Sequence, residues 1–419
     1  MATIAILGTF DTKGPDHAFV AAAVRRQGHD ALLIDVSTGG ASSIPADIAA
    51  AEVATESGEP GYETLLRRRD RGECVAFMGR AAAKLVKRLA AEGRMHGILS
   101  LGGGGGTAIA TAAMRALPLG FPKLMVSTLA SGHTAPYVGT TDIVMMPAVA
   151  DIAGLNRVSS VLYENAAAAL GGMVTAAQGR AAATEVAGGK PLIVASMFGN
   201  TTPCVMEAKR VLEEAGYDVL VFAATGTGGR AMESLIASGL VAGVLDLTTT
   251  EWADELVGGV LTAGPERLEA AAKAGVPAVI APGCLDMVNF GEPSSVPSKF
   301  KGRRFHAHNP QVTLMRTTPD ENRALGRILA EKINRYTGPV TVLFPKGGLS
   351  QIGAAGGAFA DAEADEALLT SFQENLRGDI PLVLHEGPIN DSAFAQACAK
   401  ALRGHLETRG RSLGGTMKP

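Results

Sequence analysis

Aromatic residues make up only 5% of this 419-residue chain, and cysteines number four. Cys74, Cys204, Cys284 and Cys398 lie far apart with no Cys-x-x-Cys pair, which excludes a disulfide framework and a zinc-finger type of site. Sparse, unpaired cysteine points to a reducing, cytoplasmic setting. An excess of positive charge is also missing. Lys and Arg total 38 against 41 Asp and Glu, a net charge of −3, so no basic field exists to hold nucleic acid. No apolar run reaches the roughly 18 residues of a membrane span, and no basic-then-apolar leader opens the chain. What is abundant is glycine, at 52 residues, in a chain that is 47% hydrophobic. One core seldom grows past about 250–300 residues, so two domains are expected.

The apolar runs are short and do not alternate, as in strands buried on both faces of a parallel sheet. Residues 2–8, 31–36, 97–101, 123–127 and 142–146 read as strands, with helices between them. The basic run Arg67-Arg68-Arg69 reads as a solvated helix face. Gly188-Gly189-Lys190-Pro191 breaks an alanine-rich helical stretch, and the strand–helix alternation then restarts. Residues 192–196, 218–222, 241–246, 278–281, 312–316, 340–344 and 382–385 make seven further strands. The expected fold is α/β: two consecutive Rossmann-like, doubly wound domains with mainly parallel sheets and an inter-domain cleft. Residues 1–187 form the first domain, 190–405 the second, and 406–419 a flexible tail.

The sequence centres on Ser100-Leu101-Gly102-Gly103-Gly104-Gly105-Gly106-Thr107, an apolar strand running into five glycines and then a helix. Bare amides ahead of a helix N-terminus form an anion site, typically for phosphate, and glycine leaves positive φ open at each step. The run has no Lys-Ser/Thr closure, so it is not a Walker A loop. Other loops belong at the same carboxyl edge. Gly8, Thr9, Asp11 and Lys13 follow the first strand. Lys13 can pair with a phosphate, and Asp11 can hold Mg²⁺ through water. Ser37, Thr38 and Gly39 follow the second strand, and Thr128, Ser131 and Gly132 the fourth. With Gly102 through Gly106 and Thr107 they form the expected nucleotide cradle.

In the second domain, Thr225-Gly226-Thr227-Gly228-Gly229-Arg230 is another glycine loop before a helix, with Arg230 placed to meet an anionic substrate. Arg316, Lys346, His385 and Glu386 end strands and are the remaining candidates for acid/base or anion roles. His306 and His308 share a face only on a strand. Spacing fixes no complete ligand set around them and Asp286, so no resident metal site is assigned.

These segments resemble one family. The motifs that carry the likeness are Gly8-Thr9-Phe10-Asp11-Thr12-Lys13, Asp35-Val36-Ser37-Thr38, the glycine loop through Thr107, residues 122–128 and Gly139-Thr140-Thr141-Asp142. Residues 149–156 and 308–316 extend it over nearly the whole chain. The chain is similar to the ATP-binding amino-terminal domain of the tomato mosaic virus resistance protein and its uncharacterised bacterial and fungal relatives. The resemblance implies two Rossmann-like subdomains, ATP with Mg²⁺ at the glycine-rich sites of the first, and a homodimer. The expected function is therefore that of an ATP-binding protein. It is read first as an enzyme of phosphoryl or adenylyl transfer on a small anionic metabolite. The alternatives are a nucleotide sensor without turnover and a sugar-acid hydrolase or isomerase without nucleotide.

Overall fold

The computed structural model describes residues 1–59, 62–68, 70–184 and 189–414. Residues 185–187 at the end of the first expected domain, Gly188 of the expected break, Arg69 of the basic run and the last five residues of the expected tail lie outside the described residues. The chain divides into two compact units, Met1–Gly188 and Gly189–Pro419.

In unit 1 the elements run β1 (Thr3–Gly8), α1 (Phe10–Arg26), β2 (Asp30–Asp35), α2 (Ala50–Thr55), α3 (Tyr62–Arg68), α4 (Arg71–Ala91), β3 (Gly97–Gly102), α5 (Gly104–Arg115), β4 (Lys123–Ser127), α6 (Ala135–Val138), β5 (Val144–Pro147) and α7 (Arg157–Thr184). The sheet is parallel throughout, in the order β2-β1-β3-β4-β5. Residues of one strand serve two cores by alternation. Ile4 and Ile6 pack with Phe10, Val20, Tyr163 and Leu170 of α1 and α7. Ala5 and Leu7 pack with Phe77, Leu85, Ile109 and Met114 of α4 and α5. Both faces are covered, which is why these strands read as unbroken apolar runs.

Unit 2 continues with β6 (Leu192–Met197), α8 (Thr202–Glu214), β7 (Asp218–Ala223), α9 (Thr227–Ala237), β8 (Gly243–Thr248), α10 (Glu251–Val257), α11 (Ala270–Ala274), β9 (Ala278–Gly283), β10 (Met287–Phe290), β11 (Phe305–Asn309), β12 (Val312–Arg316), α12 (Pro319–Ile333), β13 (Val340–Pro345), α13 (Ala362–Asn375), β14 (Leu382–His385) and α14 (Ser392–Gly414). Its main sheet has six parallel strands in the order β14-β13-β9-β8-β6-β7. The doubly wound α/β plan expected from the sequence is thus observed in both units.

Two expectations change. Residues 312–316 are a strand, but not of the main sheet: β12 is the middle of a separate antiparallel sheet, β10-β12-β11. The segment from 406, expected as a tail, continues α14 to Gly414. Leu402 and Leu406 of that helix lie against Gly243, 3.3 Å from where its Cβ would stand, so apolar packing extends the helix past the expected end. No helix among the described residues is long and apolar enough to cross a membrane.

Candidate functional site

In a parallel sheet of this strand order, the chain leaves β1 in one direction and returns through β3 in the other. The crevice at that reversal, outside the carboxyl ends of the strands, is where open α/β sheets bind ligands. Unit 1 has a cavity of about 960 Å³ there, bordered by the loops after β1, β2 and β3.

The loop after β1 contributes Thr9, Asp11, Thr12 and Lys13. Asp11 is held in place: its N–H donates to Ser37 Oγ at 3.0 Å, and its Oδ2 accepts from Gly39 N–H at 3.1 Å. Lys13 breaks the helical path of α1 with φ −132° and ψ 24°. Its Nζ donates to the Ile152 carbonyl. The loop after β2 contributes Ser37, Thr38 and Gly39. Asp35 organises it from below, with Oδ1 accepting from Phe10 N–H at 3.2 Å and Ser37 N–H at 2.9 Å.

The glycine run supplies Gly103, Gly104, Gly105 and Gly106 to the cavity. Gly103 is the N-cap of α5, and the first intrahelical bond runs from Thr107 N–H to the Gly103 carbonyl at 2.8 Å. The N–H groups of Gly104, Gly105 and Gly106 precede that bond and have no acceptor within the helix. None of the five glycines has positive φ, so the run does not serve conformational freedom. What matters is the missing side chain. A Cβ on Gly102 would stand 2.9 Å from backbone atoms of Gly106 and Thr107, whereas one on Gly104 would meet nothing within 4 Å.

Six expected cradle residues lie elsewhere or take other roles. Gly8 is a packing glycine: a Cβ there would stand 1.9 Å from His17 Nε2. His17 is fully buried, and desolvation pushes its pKa down. Thr107 is buried with its hydroxyl 2.7 Å from Ser127 Oγ. Gly102 closes the turn. Ser131 and Gly132 are exposed in the turn after β4, off the cavity wall. Thr128 is also off the wall, with its Oγ1 3.7 Å from the Cβ position of Gly103.

The sequence reading missed the other half of the cavity. Tyr62 and Leu66 of α3, Arg71 and Val75 of α4, and Ile109 of α5 form a wall opposite the loops. Tyr62 stacks on Phe77 with centroids 5.3 Å apart and donates to the Ser37 carbonyl at 2.9 Å. Burial raises the Tyr62 phenol to about 12, which keeps it a donor. Arg71 Nη2 lies 3.6 Å from the Cβ position of Gly105. Asp151, from the loop after β5, also borders the cavity. The motif 149–156 marked its segment, but nothing in the sequence aimed that carboxylate inward.

Unit 2 treats its glycine loop differently. The N–H groups of Gly226 and Gly229 donate to Glu251 Oε1 at 2.7 and 3.1 Å. Glu251 Oε2 pairs with Arg267 Nε at 2.7 Å, and Arg267 is clamped by both oxygens of Asp246 at 2.5 and 2.7 Å. The expected substrate anion is replaced by the chain's own buried carboxylate. Arg230 points away from that role and donates to the Thr262 carbonyl at 2.9 Å.

Arg316 is also corrected. It is 3% exposed, paired with Asp365 at 2.6 Å and bonded to the Phe359 carbonyl at 2.8 Å, so it is a structural cation. Lys346, His385 and Glu386 do gather at the ends of β13 and β14. Lys346 pairs with Glu386 at 3.0 Å, and His385 Nε2 lies 2.8 Å from Asp391. They are not joined by Arg230, which follows β7 at the opposite edge of the six-stranded sheet. Strand spacings of about 4.8 Å keep those edges far apart. His306 and His308 lie on β11. Among the described residues no group of three or more His, Cys, Asp or Glu side chains is arranged to hold a metal ion.

Comparison with known proteins gives matches to both halves of the chain. Residues 2–179 match the N-terminal domain, and residues 190–406 the C-terminal domain, of "Uncharacterised protein family (UPF0261)". A UPF0261 protein of Clostridium tetani is 50% identical over 405 residues, covering 96% of this chain and 99% of its own. The tomato "ToMV susceptible protein tm-1(GCR26)" is 41% identical over 345 residues, covering 80% of this chain and 46% of its own length. Among solved structures, a putative UDP-N-acetylglucosamine 2-epimerase from Listeria monocytogenes aligns at 11% identity over 100% of this chain and 98% of its own. Its TM-score of 0.23 is too low to carry an argument. With both domain models matched and relatives aligned nearly end to end, the chain belongs to the UPF0261 family.

Proposed function

We propose that unit 1 binds ATP with Mg²⁺ in the cavity at the ends of β1, β2 and β3. The observation that carries this reading is the convergence, on one cavity, of the Gly104–Gly106 amides, two cations and an apolar wall. Helix N-termini favour phosphate, and the amides at the start of α5 are the anion-binding element. Tyr62, Leu66, Val75 and Ile109 give a surface for a flat apolar base. Asp11 and Asp151 fit Mg²⁺, an ion usually held by one or two carboxylates with water and ligand phosphates completing its shell. Bound there, Mg²⁺ would supply neutralisation of phosphate charge.

The reading assigns binding to unit 1 and assigns no catalytic residue. The unit 2 groups that the sequence offers for chemistry have partners of their own: Lys346 with Glu386, His385 with Asp391, Arg316 with Asp365. An enzyme and a nucleotide sensor therefore differ here in one measurable quantity, ATP consumption on addition of small carboxylic acids or sugars.

Binding itself is tested by calorimetry with Mg-ATP on the wild type and on Gly104→Val. The Gly104 Cβ position is open, so the variant folds and places its methyls in the cavity. The expected result is saturable binding by the wild type and at least a tenfold loss in the variant. Equal affinity in the two proteins, or no binding by the wild type, refutes the assignment.

A further inference from the structure

The glycine run carries no lysine of its own, so the charge that balances a phosphate on it must come from another element. Two cations border the cavity, Lys13 and Arg71. Lys13 Nζ is engaged by the Ile152 carbonyl, on the side where Asp151 stands. Arg71 has no hydrogen bond or ion pair among the described residues, and it opens α4 at the cavity rim.

Its freedom has a local cause. The nearest carboxylate in sequence, Asp70, caps α4, accepting from Glu73 N–H at 2.9 Å. Further along the same helix, exposed arginines do take carboxylates: Arg80 pairs with Glu59 at 2.7 Å, and Arg88 with Glu56 at 2.5 Å. Arg71 instead lies beside the glycine run. Its Nη2 and Nε lie 3.6 and 4.0 Å from the Cβ position of Gly105, and Val75 Cγ2, one turn on, lies 3.6 Å from the same point. Only a glycine there leaves a gap between the guanidinium and the amides of the α5 start.

We propose that Arg71 is the specificity-determining residue of this cavity, gripping the phosphate chain beside the glycine amides and setting a preference for nucleoside polyphosphates over unphosphorylated nucleosides. The inference rests on the nucleotide reading above. A guanidinium presents a planar fork of donors that matches phosphate oxygens, and such charge-assisted bonds are stronger than neutral ones. The polarity of the cavity agrees. Asp11 and Asp151 offer the Mg²⁺ position on the β1 and β5 side, while Arg71 and the amides take phosphate oxygens on the α4–α5 side. The ligand is thereby given one orientation.

The test is calorimetry of ATP, ADP and adenosine on the full chain, as wild type, Arg71→Ala and Arg71→Lys, at two salt concentrations. Arg71 is exposed and has no partner among the described residues, so both variants keep the fold, which circular dichroism and Tm verify. Arg71→Ala is expected to weaken ATP binding about 10- to 100-fold, to leave adenosine affinity unchanged and to flatten the salt dependence. Arg71→Lys, which keeps the charge but loses the fork, should fall between. If the wild type binds ATP and Arg71→Ala binds it within twofold, or if ATP and adenosine weaken equally, this inference is overturned and the nucleotide reading stands. If the wild type binds no ATP, both fall together.

Discussion

The molecule contains two glycine-rich loops that run from a strand into a helix, and they end in opposite states. In unit 1 the amides of Gly104–Gly106 face a cavity of about 960 Å³. In unit 2 the amides of Gly226 and Gly229 are taken by Glu251, a side chain only 1% exposed. The crevice beside each loop differs in the same sense. Between β6 and β8 the strand ends are stitched by hydroxyls, with Thr201 and Thr248 Oγ1 atoms 2.8 Å apart and Ser196 donating to Asp246 at 2.6 Å. Between β1 and β3 the ends are glycines, and the guanidinium beside them, Arg71, has no partner among the described residues. The unit 2 loop thus holds an anion that the chain itself supplies, and no carboxylate among the described residues bonds the amides of the unit 1 loop. Whether such a loop is left for a ligand depends on whether the fold delivers a carboxylate of its own.

Removing that carboxylate should produce the largest effect. Glu251→Ala leaves two buried amides without an acceptor and leaves Arg267 short of one of its ion-pair partners. Breaking a buried pair by removing one partner costs about 3–5 kcal/mol. Urea denaturation should show unit 2 destabilised by about that much, while ATP affinity stays at the wild-type value. A loss below about 1 kcal/mol would mean that Glu251 is a bystander and that the two loops do not differ as described.

A smaller effect separates the glycines of the open loop from one another. Gly102→Ala places a Cβ 2.9 Å from backbone atoms that cannot move independently, and overpacking of this kind costs about 1–3 kcal/mol. Gly104→Ala meets nothing within 4 Å and sits in the first turn of α5. It should be neutral or add up to about 1 kcal/mol through reduced freedom of the unfolded chain. Equal Tm changes in the two variants would contradict the division into one glycine needed by the turn and others left bare for a ligand.

Much of this was legible in the sequence for physical reasons that also mark its limits. Strands buried on both faces announce themselves as apolar runs, so the doubly wound plan could be read directly. The loops after β1, β2 and β3 followed from it, because a parallel sheet collects such loops at one edge. Arg71 and Tyr62 could not be read. They come from a polar stretch without clear periodicity, and reach the cavity only because α4 packs beside α5 and carries α3 with it. Glu251 was hidden for another reason: a carboxylate at a helix start looks the same in sequence whether it caps, faces solvent or plugs a distant loop. Arg316 misled similarly, since a cation ending a strand reads as an edge residue. Here β12 belongs to a separate sheet, and its guanidinium runs beneath the surface to Asp365.

The plugged crevice of unit 2 should also be sensitive to mild acid in a way that isolates one of its groups. Asp254 lies one turn beyond Glu251 on α10, is 1% exposed, and accepts from Asn289 N–H at 2.9 Å and Asn289 Nδ2 at 2.6 Å. No cation among the described residues pairs with it, and burial raises its pKa from 3.8 to about 6. The folded protein therefore binds this proton more tightly than the unfolded chain does. The stabilisation linked to it is complete below the unfolded value of 3.8 and is lost as pH rises through about 6. Between pH 7 and pH 5 its share should make unit 2 more stable by about 1 kcal/mol. Asp254→Asn carries no titrating group, and the unpartnered Asn289 Oδ1 can receive the new amide after a flip of the Asn289 side chain. The variant should lack that increment, so the wild type should gain about 1 kcal/mol on it in urea denaturation as pH falls from 7 to 5. A difference that stays constant across the window would place the carboxylate in water, and the crevice of unit 2 would then be open like its counterpart.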